Sequence, residues 1–273
     1  MDIKVLGTAA AEGWPALFCT CEACRRAKQK GGRNIRRRTA YAINDDTLVD
    51  FGQDIFWQTL QFGVDLTTVG HLLVTHSHVD HLNTVDLQWR APGFSRVPQE
   101  LAVYGNQAVL NRLDTELEKD LSDYGIRPVL VQSGETFQAG NLTVTALAAQ
   151  HMGNEEEALN FIIRDNQSEL LIANDTGWWE EATWSRLQQH CLNAAFVEST
   201  TGLHNPEQYT NHLGCRSTVH VLNRLRAMGA VHDNTDAWAI HFSHNGGALH
   251  EHLCEFFAPH GINVAYDGLT ISV

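Results

Sequence analysis

Positive charge is scarce in this sequence. Its 273 residues hold 19 lysines and arginines against 32 aspartates and glutamates, a formal net charge of −13. A protein that gripped nucleic acid mainly through phosphate attraction would show the opposite balance, so no nucleic-acid partner is expected. Long apolar runs are lacking too. None approaches the ~20 residues that span a bilayer, and no membrane partner is expected. The start, Met1 to Gly7, reads directly as a strand without an apolar segment and small-residue cleavage site, so a cytoplasmic location is the expectation. Repeats, low-complexity tracts and Pro/Ser-rich linkers are missing, which makes one domain over 1–273 the simplest organisation. Nor do the six cysteines make a disulfide framework. Cys19, Cys21 and Cys24 cluster, while Cys191, Cys215 and Cys254 are scattered and read as small buried or partly buried hydrophobes. Clustered thiols in an intracellular chain more often bind metal.

What is present points the same way. Hydrophobic residues make up 43%, enough for a substantial core, and fifteen histidines hint at metal chemistry. Strand patterns occur at Ile3–Leu6, Thr47–Asp50, Leu72–Thr75, Leu101–Tyr104 and Leu142–Leu147. A second set covers Leu159–Arg164, Leu170–Ala173, Ala195–Glu198, Trp238–Phe242, Ile262–Tyr266 and Leu269–Val273. Helical spacing is clearest in Gln107–Glu118, Trp178–Gln189, Ser217–Met228 and Ala248–Phe257. Such alternation predicts an α/β fold of mixed sheets covered by helices, and does not by itself choose among such folds. Charge is uneven: Arg25, Arg26, Lys28, Lys30, Arg33, Arg36, Arg37 and Arg38 form a basic run without an acid. It is either a solvated loop or an anion-attracting rim for a small phosphorylated substrate, and whether Arg36–Arg38 touch that substrate is open.

The most informative segment is Leu72-Leu73-Val74-Thr75-His76-Ser77-His78-Val79-Asp80-His81, where an apolar strand runs out into three histidines and an aspartate. His76 and His78, two apart at a strand end, point to one side. Asp80 and His81 follow a turn and can face a second point. Imidazoles with a carboxylate suit borderline metals such as zinc or manganese. This motif resembles the signature of the metallo-β-lactamase superfamily. The resemblance implies a four-layer αββα sandwich with a dinuclear site at the sheet edges. It further implies a third histidine for the first metal, a bridging carboxylate and a last histidine near the C-terminus. His151 after Leu142–Ala148, Asp175 after Ile172–Ala173 and His241 in Trp238–Phe242 match those places in order.

Cys19-Thr20-Cys21-Glu22-Ala23-Cys24 offers three thiolates in one tight loop, within a Cys-rich segment at about 14–38. Structural zinc takes four ligands, and His244 is the natural fourth. It follows His241 by three residues, so on a continuing strand the two rings would face opposite sides. With this loop the chain resembles the PhnP-type phosphoribosyl cyclic phosphodiesterases nearly end to end. The likeness includes Leu6-Gly7-Thr8, Trp14-Pro15-Ala16, the Asn211-His212 step, the His241/His244 pair and Tyr266-Asp267-Gly268. It implies two active-site divalent metals, manganese or zinc, and a separate structural zinc. The chain departs from that family at Glu155–Glu157, around Asp123 and Arg127, and at Glu198-Ser199-Thr200.

The activity so implied is hydrolysis of a small phosphodiester, such as a cyclic ribose phosphate. A water held between the two metals would attack, Asp80 would bind one metal and orient the nucleophile, and Asp175 would bridge. His212 matches the family's proton donor to the leaving alkoxide. A homodimer is compatible with this reading. His204, His220, His232, His250, His252 and His260 have no assignment, and most are expected on the surface. The same Cys loop occurs in PqqB proteins, so the alternative is a non-hydrolytic metalloprotein, oxidoreductase or carrier, on the same fold. A tRNA-processing nuclease fits the acidic balance poorly.

Overall fold

The computed structural model describes residues 1–153 and 155–273. Strands β1 (Asp2–Gly7), β2 (Ala40–Ile43), β3 (Thr47–Val49), β4 (His71–Leu73), β5 (Leu101–Gly105) and β6 (Ile126–Leu130) lie side by side in chain order. The second sheet is β7 (Thr136–Ala139), β8 (Leu142–Ala148), β9 (Leu159–Arg164), β10 (Glu169–Ala173), β11 (Ala194–Glu198), β12 (Asp236–Ile240) and β13 (Asn263–Val264), again in chain order. β14 (Thr270–Ser272) then returns to the edge of β1, placing Thr270 opposite Lys4. Antiparallel pairs open each sheet and parallel pairs close it, from β3 to β6 and from β10 to β13.

Helices cover both outer faces. They are α1 (Glu22–Lys30), α2 (Ile55–Phe62), α3 (Thr84–Leu87), α4 (Gln107–Glu116), α5 (Glu181–Leu187), α6 (Cys215–Ala227) and α7 (His250–Phe257). The layering follows from period-2 alternation in strands that are apolar on both faces. Tyr41 and Ile43 of β2 enter the core between the sheets, whereas Ala40 and Ala42 join the cluster with Ile55, Leu87 and Leu113 from the first helical layer. In β10, Leu170 and Ile172 face inward, while Leu171 and Ala173 meet Ala27, Trp184, Leu225 and Leu253 of the second helical layer. Each fully buried large side chain, such as Phe161 or Phe196, contributes roughly 1.5–3 kcal/mol. The result is the four-layer αββα sandwich. Among the described residues, no helix is long and apolar enough to cross a membrane.

Several elements differ from the pattern-based expectation. Helix α2 has no clean apolar stripe, because Phe56, Trp57 and Leu60 are exposed while Ile55 is buried. Strand β6 is an edge strand that carries Pro128, which weakens its period-2 signal. Helix α1 takes in the first part of the basic run, Arg25 to Lys30. Strand β12 stops at Ile240 rather than Phe242, since His241 turns to a left-handed φ of 56°. Of the scattered cysteines, Cys215 is buried and Cys254 half-buried as expected, but Cys191 is exposed.

Candidate metal centre

The histidines and carboxylates gather where strands end. His76–His81 follow β4, His151 follows β8, Asp175 follows β10 and His241 follows β12, all at one rim of the two sheets. Carboxyl ends of parallel strands are the usual ligand crevice of α/β sheets. His78 Nδ1 lies 2.9 Å from His76 Nε2 and 3.4 Å from His151 Nε2, which makes one trio of nitrogens. A second group forms around Asp175 Oδ2, 2.9 Å from His81 Nε2 and 3.0 Å from His241 Nε2. Asp80 Oδ2 joins it, 3.0 Å from His81 Nε2. The other oxygen of Asp175, Oδ1, faces His151 Nε2 at 3.9 Å, so one carboxylate spans both groups.

These donors fit cations on physical grounds. His81 Nε2 and His241 Nε2 are buried against Asp175 Oδ2, yet none of these three atoms makes a hydrogen bond of good geometry among the described residues. Buried polar atoms are rarely left so, and a shared cation accounts for all three. Protonation points the same way. Burial, then the neighbouring imidazoles, holds the His76 pKa well below its usual value, which keeps the ring a neutral ligand. Burial opposes charge on His81 as well, but Asp80, Asp50 and Asp175 outweigh it and raise its pKa well above normal. A bound cation would take the place of that proton.

An outer layer fixes the rings. His81 Nδ1 is 2.7 Å from Asp50 Oδ2, and Asp50 Oδ1 accepts from the Thr75 amide and hydroxyl, each at 2.9 Å. The Thr75 hydroxyl in turn lies 3.1 Å from His76 Nδ1. His151 Nδ1 faces the Asn211 carbonyl at 3.1 Å, and His241 Nδ1 faces Thr200 Oγ1 at 2.9 Å. Such contacts select the tautomer that leaves the inward nitrogen free to bind metal. Asp50, Asp175 and His241 all adopt positive φ. Beneath the motif Gly52 leaves no room: an added Cβ would sit 2.1 Å from the Asp80 carbonyl oxygen.

His212 stands beside this group. Its Nδ1 is 3.0 Å from Glu198 Oε1 and 3.7 Å from Asp175 Oδ1. Burial disfavours charge on the ring, but Glu198 and the nearby aspartates raise its pKa to about 9. Glu198 is fully buried and accepts from the Thr176 amide at 2.6 Å, the Thr200 amide at 3.2 Å and the Thr200 hydroxyl. It therefore joins His212 to His241 through Thr200. Glu198, Asp50 and Thr200 were not marked as site residues by the sequence. The available signal was an acid ending a buried strand, where an unpaired charge would be costly.

The cysteine loop closes separately. Cys19, Cys21, Cys24 and His244 place one donor atom each within 4.8 Å of one another. His244 Nδ1 is 3.6 Å from Cys19 Sγ and 3.5 Å from Cys21 Sγ, close to the ~3.6 Å edge of a tetrahedral zinc site. The route differs from the expected continuing strand. His244 lies on a short 3-10 turn, His244–Gly246, beyond the bend at His241. Its Nε2 meets Glu12 Oε1 at 3.4 Å, an outer contact that the sequence did not reveal.

Within the basic run, Arg36, Arg37 and Arg38 are engaged by the fold itself, while Arg25, Lys28, Lys30 and Arg33 are exposed. Arg36 is buried and donates to Thr8 Oγ1 at 2.8 Å, the Ala265 carbonyl at 2.7 Å and His250 Nδ1 at 2.9 Å. Arg37 pairs with Asp267 at 3.4 Å and Arg38 with Asp54 at 3.1 Å. These guanidinium groups knit the loop to the fold. His250, one of the unassigned histidines, is buried in the same cluster.

A family model described as a beta-lactamase superfamily domain matches residues 46–242. The chain belongs to the metallo-β-lactamase superfamily. Solved structures of this superfamily fold match it nearly end to end. A diphosphatase of the PhnP family has 20% identity and a TM-score of 0.76, over 99% of this chain and 96% of that one. Zinc-bound PqqB from Methylobacterium extorquens has 17% identity and a TM-score of 0.77, over 100% of both chains. The short form of human tRNase Z has 15% identity and a TM-score of 0.68, over 100% of this chain and 99% of that one. No curated protein matches the sequence significantly. As a superfamily member the chain carries divalent-metal donor groups at the expected sheet rim.

Proposed function

We propose that the protein is a dinuclear-metal phosphodiesterase acting on a small phosphodiester. The carrying observation is Asp175, whose two oxygens face two separate donor groups beside a carboxylate-held His212. His76, His78 and His151 would hold one cation, and Asp80, His81 and His241 the other. When bound, such cations supply Lewis acidity toward phosphoryl oxygens and lower the pKa of water. The chain's own residues supply the rest. Asp80 accepts a hydrogen bond that orients the attacking water. His212, its Nδ1–H donating to Glu198, keeps Nε2 for the proton the leaving alkoxide needs. The acidic surface supports a small substrate over nucleic acid. A PqqB-like carrier or redox role would leave the Glu198–His212 pair without a task.

The test is hydrolysis of bis(p-nitrophenyl) phosphate by protein loaded with manganese, with Asp80→Asn as control. Turnover that disappears in the control is expected. Background rates with manganese, zinc and iron alike would overturn the hydrolase reading in favour of the carrier or oxidoreductase.

A further inference from the structure

A cavity of ≈790 Å³ opens beside His151, so it adjoins the candidate metal centre on the side of the histidine trio. Its lining is unusual for a protein expected to act on a phosphorylated sugar. Glu155, Glu156, Glu157 and Glu180 all line it, and among the described residues no lysine or arginine does. Glu156 is committed elsewhere: it is buried and accepts from the Ser77 amide at 2.8 Å and from Asn106 Nδ2 at 2.6 Å. The other three carboxylates are exposed to the cavity and have no basic partner among the described residues. Among the described residues the Glu157 carboxylate accepts only from Ser133, through its amide and hydroxyl. Two aromatic rings form a further wall. Trp178 and Tyr209 meet edge to face, with ring centroids 5.8 Å apart. Arg224, which approaches Trp178, is itself paired with Glu181 at 2.6 Å.

Two physical consequences follow. A second phosphate placed here would face carboxylates with no lysine or arginine in the lining to offset the repulsion, so the cavity selects against it. An ammonium group would meet the reverse: carboxylates for its charge and aromatic faces for its alkyl shell. Resting on the phosphodiesterase reading above, we infer that the substrate is a phosphodiester of an ammonium-bearing alcohol, its cationic arm lodged in this cavity. It is thus not a ribose phosphate carrying a second phosphate. Hydrolysis adds water across the scissile P–O bond, with the hydroxyl going to phosphorus and the proton to the departing oxygen. No oxidant or other co-reactant is needed.

Three p-nitrophenyl phosphodiesters that differ only in the second alcohol test this with the manganese-loaded protein. The alcohols are choline, its neutral isostere 3,3-dimethylbutanol, and ethylene glycol bearing a terminal phosphate. The choline ester should show kcat/KM at least about tenfold above the neutral ester, and the doubly phosphorylated ester should rank last. In the Glu155→Gln/Glu180→Gln variant the ratio of choline to neutral ester should fall toward one. Equal rates in the unmodified protein, or a preference for the second phosphate, would overturn the inference. If none of the three is hydrolysed, the phosphodiesterase reading fails, and calorimetry then decides the cavity alone. Choline binding that exceeds dimethylbutanol binding and is lost in the double variant would still support a cation site. Absence of choline binding would refute it.

Discussion

The Glu198→Gln substitution isolates the outer carboxylate from the metal donors. Glu198 holds four groups: the Thr176 amide, the Thr200 amide and hydroxyl, and His212 Nδ1. Gln keeps the shape but replaces an acceptor-only carboxylate by an amide whose NH2 must face donors. The lost charge has a size. The step from an ordinary histidine value of 6.5 to about 9 on His212 corresponds to about 3 kcal/mol of proton affinity, to which Glu198 is the largest upward contributor. Proton donation to a leaving group contributes typically ~10²–10⁴-fold. Turnover of an alkyl phosphodiester should therefore drop by about 10²-fold in Glu198→Gln. A p-nitrophenyl ester, whose leaving oxygen hardly needs a proton, should lose less than about threefold. Rates for both esters, measured in Glu198→Gln, His212→Ala and the double variant, form a cycle. If Glu198 acts through His212, the double variant should be no slower on the alkyl ester than His212→Ala alone. Equal losses on both esters, or additive losses in the double variant, would refute the pairing and leave Glu198 a purely structural group.

Cys21→Ser should remove one zinc per chain and lower the melting temperature while two metals remain in the folded fraction; unchanged zinc by elemental analysis would defeat the four-ligand assignment. Gly52→Ala forces a Cβ to 2.1 Å from the Asp80 carbonyl, so the motif loop must shift at a cost of ~1–3 kcal/mol. Lower active-site metal content with unchanged zinc in the cysteine loop is expected, and full occupancy would contradict it. His250 has a definite pH signature. Burial, then Arg36 and Arg33, lowers its pKa to about 4 from 6.5, so its neutral form accepts from Arg36 in the folded protein. That stability is fully present above pH 6.5 and is lost as pH falls toward 4. Asp267 runs the other way: burial raises its pKa to about 6 despite Thr8, Arg37 and Arg36, so its penalty is relieved as pH falls. The Asp267→Asn variant should therefore lose stability more steeply between pH 6.5 and 4 than the unmodified protein. A His250 ring titration by NMR near 6.5 would refute this account.

Much of the donor set was legible because its chemistry is local. His76, His78, Asp80 and His81 lie within one short stretch, and Cys19, Cys21 and Cys24 within another, so spacing alone carries the signal. What surrounds them was not legible, because it is assembled across the chain. Asp50 reaches His81 over 31 positions, Glu198 reaches His212 over 14, and Glu12 reaches His244 over more than two hundred. Arg36 misled for the same reason. In sequence it belongs to a charged run, and only the fold supplies Thr8, Ala265 and His250 to satisfy it. His244 arrived at the cysteine loop by a bend rather than by alternation, which a pattern of strand residues cannot express.

The bends themselves tie fold to function. Asp50, Asp175 and His241 each sit just past a strand end with φ between 45° and 63°. Residues with side chains in that region cost of order 1 kcal/mol or more, and persist only where the surroundings impose them. Here the imposing element is a set of short strands buried on both faces, which cannot slide to relieve the strain without exposing core residues. The left-handed turn ends each strand abruptly at the rim where the donor groups meet. A cation shared by Asp175, His81 and His241 would offset the strain and satisfy three orphaned buried atoms together. Metal binding and fold stability are therefore expected to be coupled in this protein, with the same strand ends serving both.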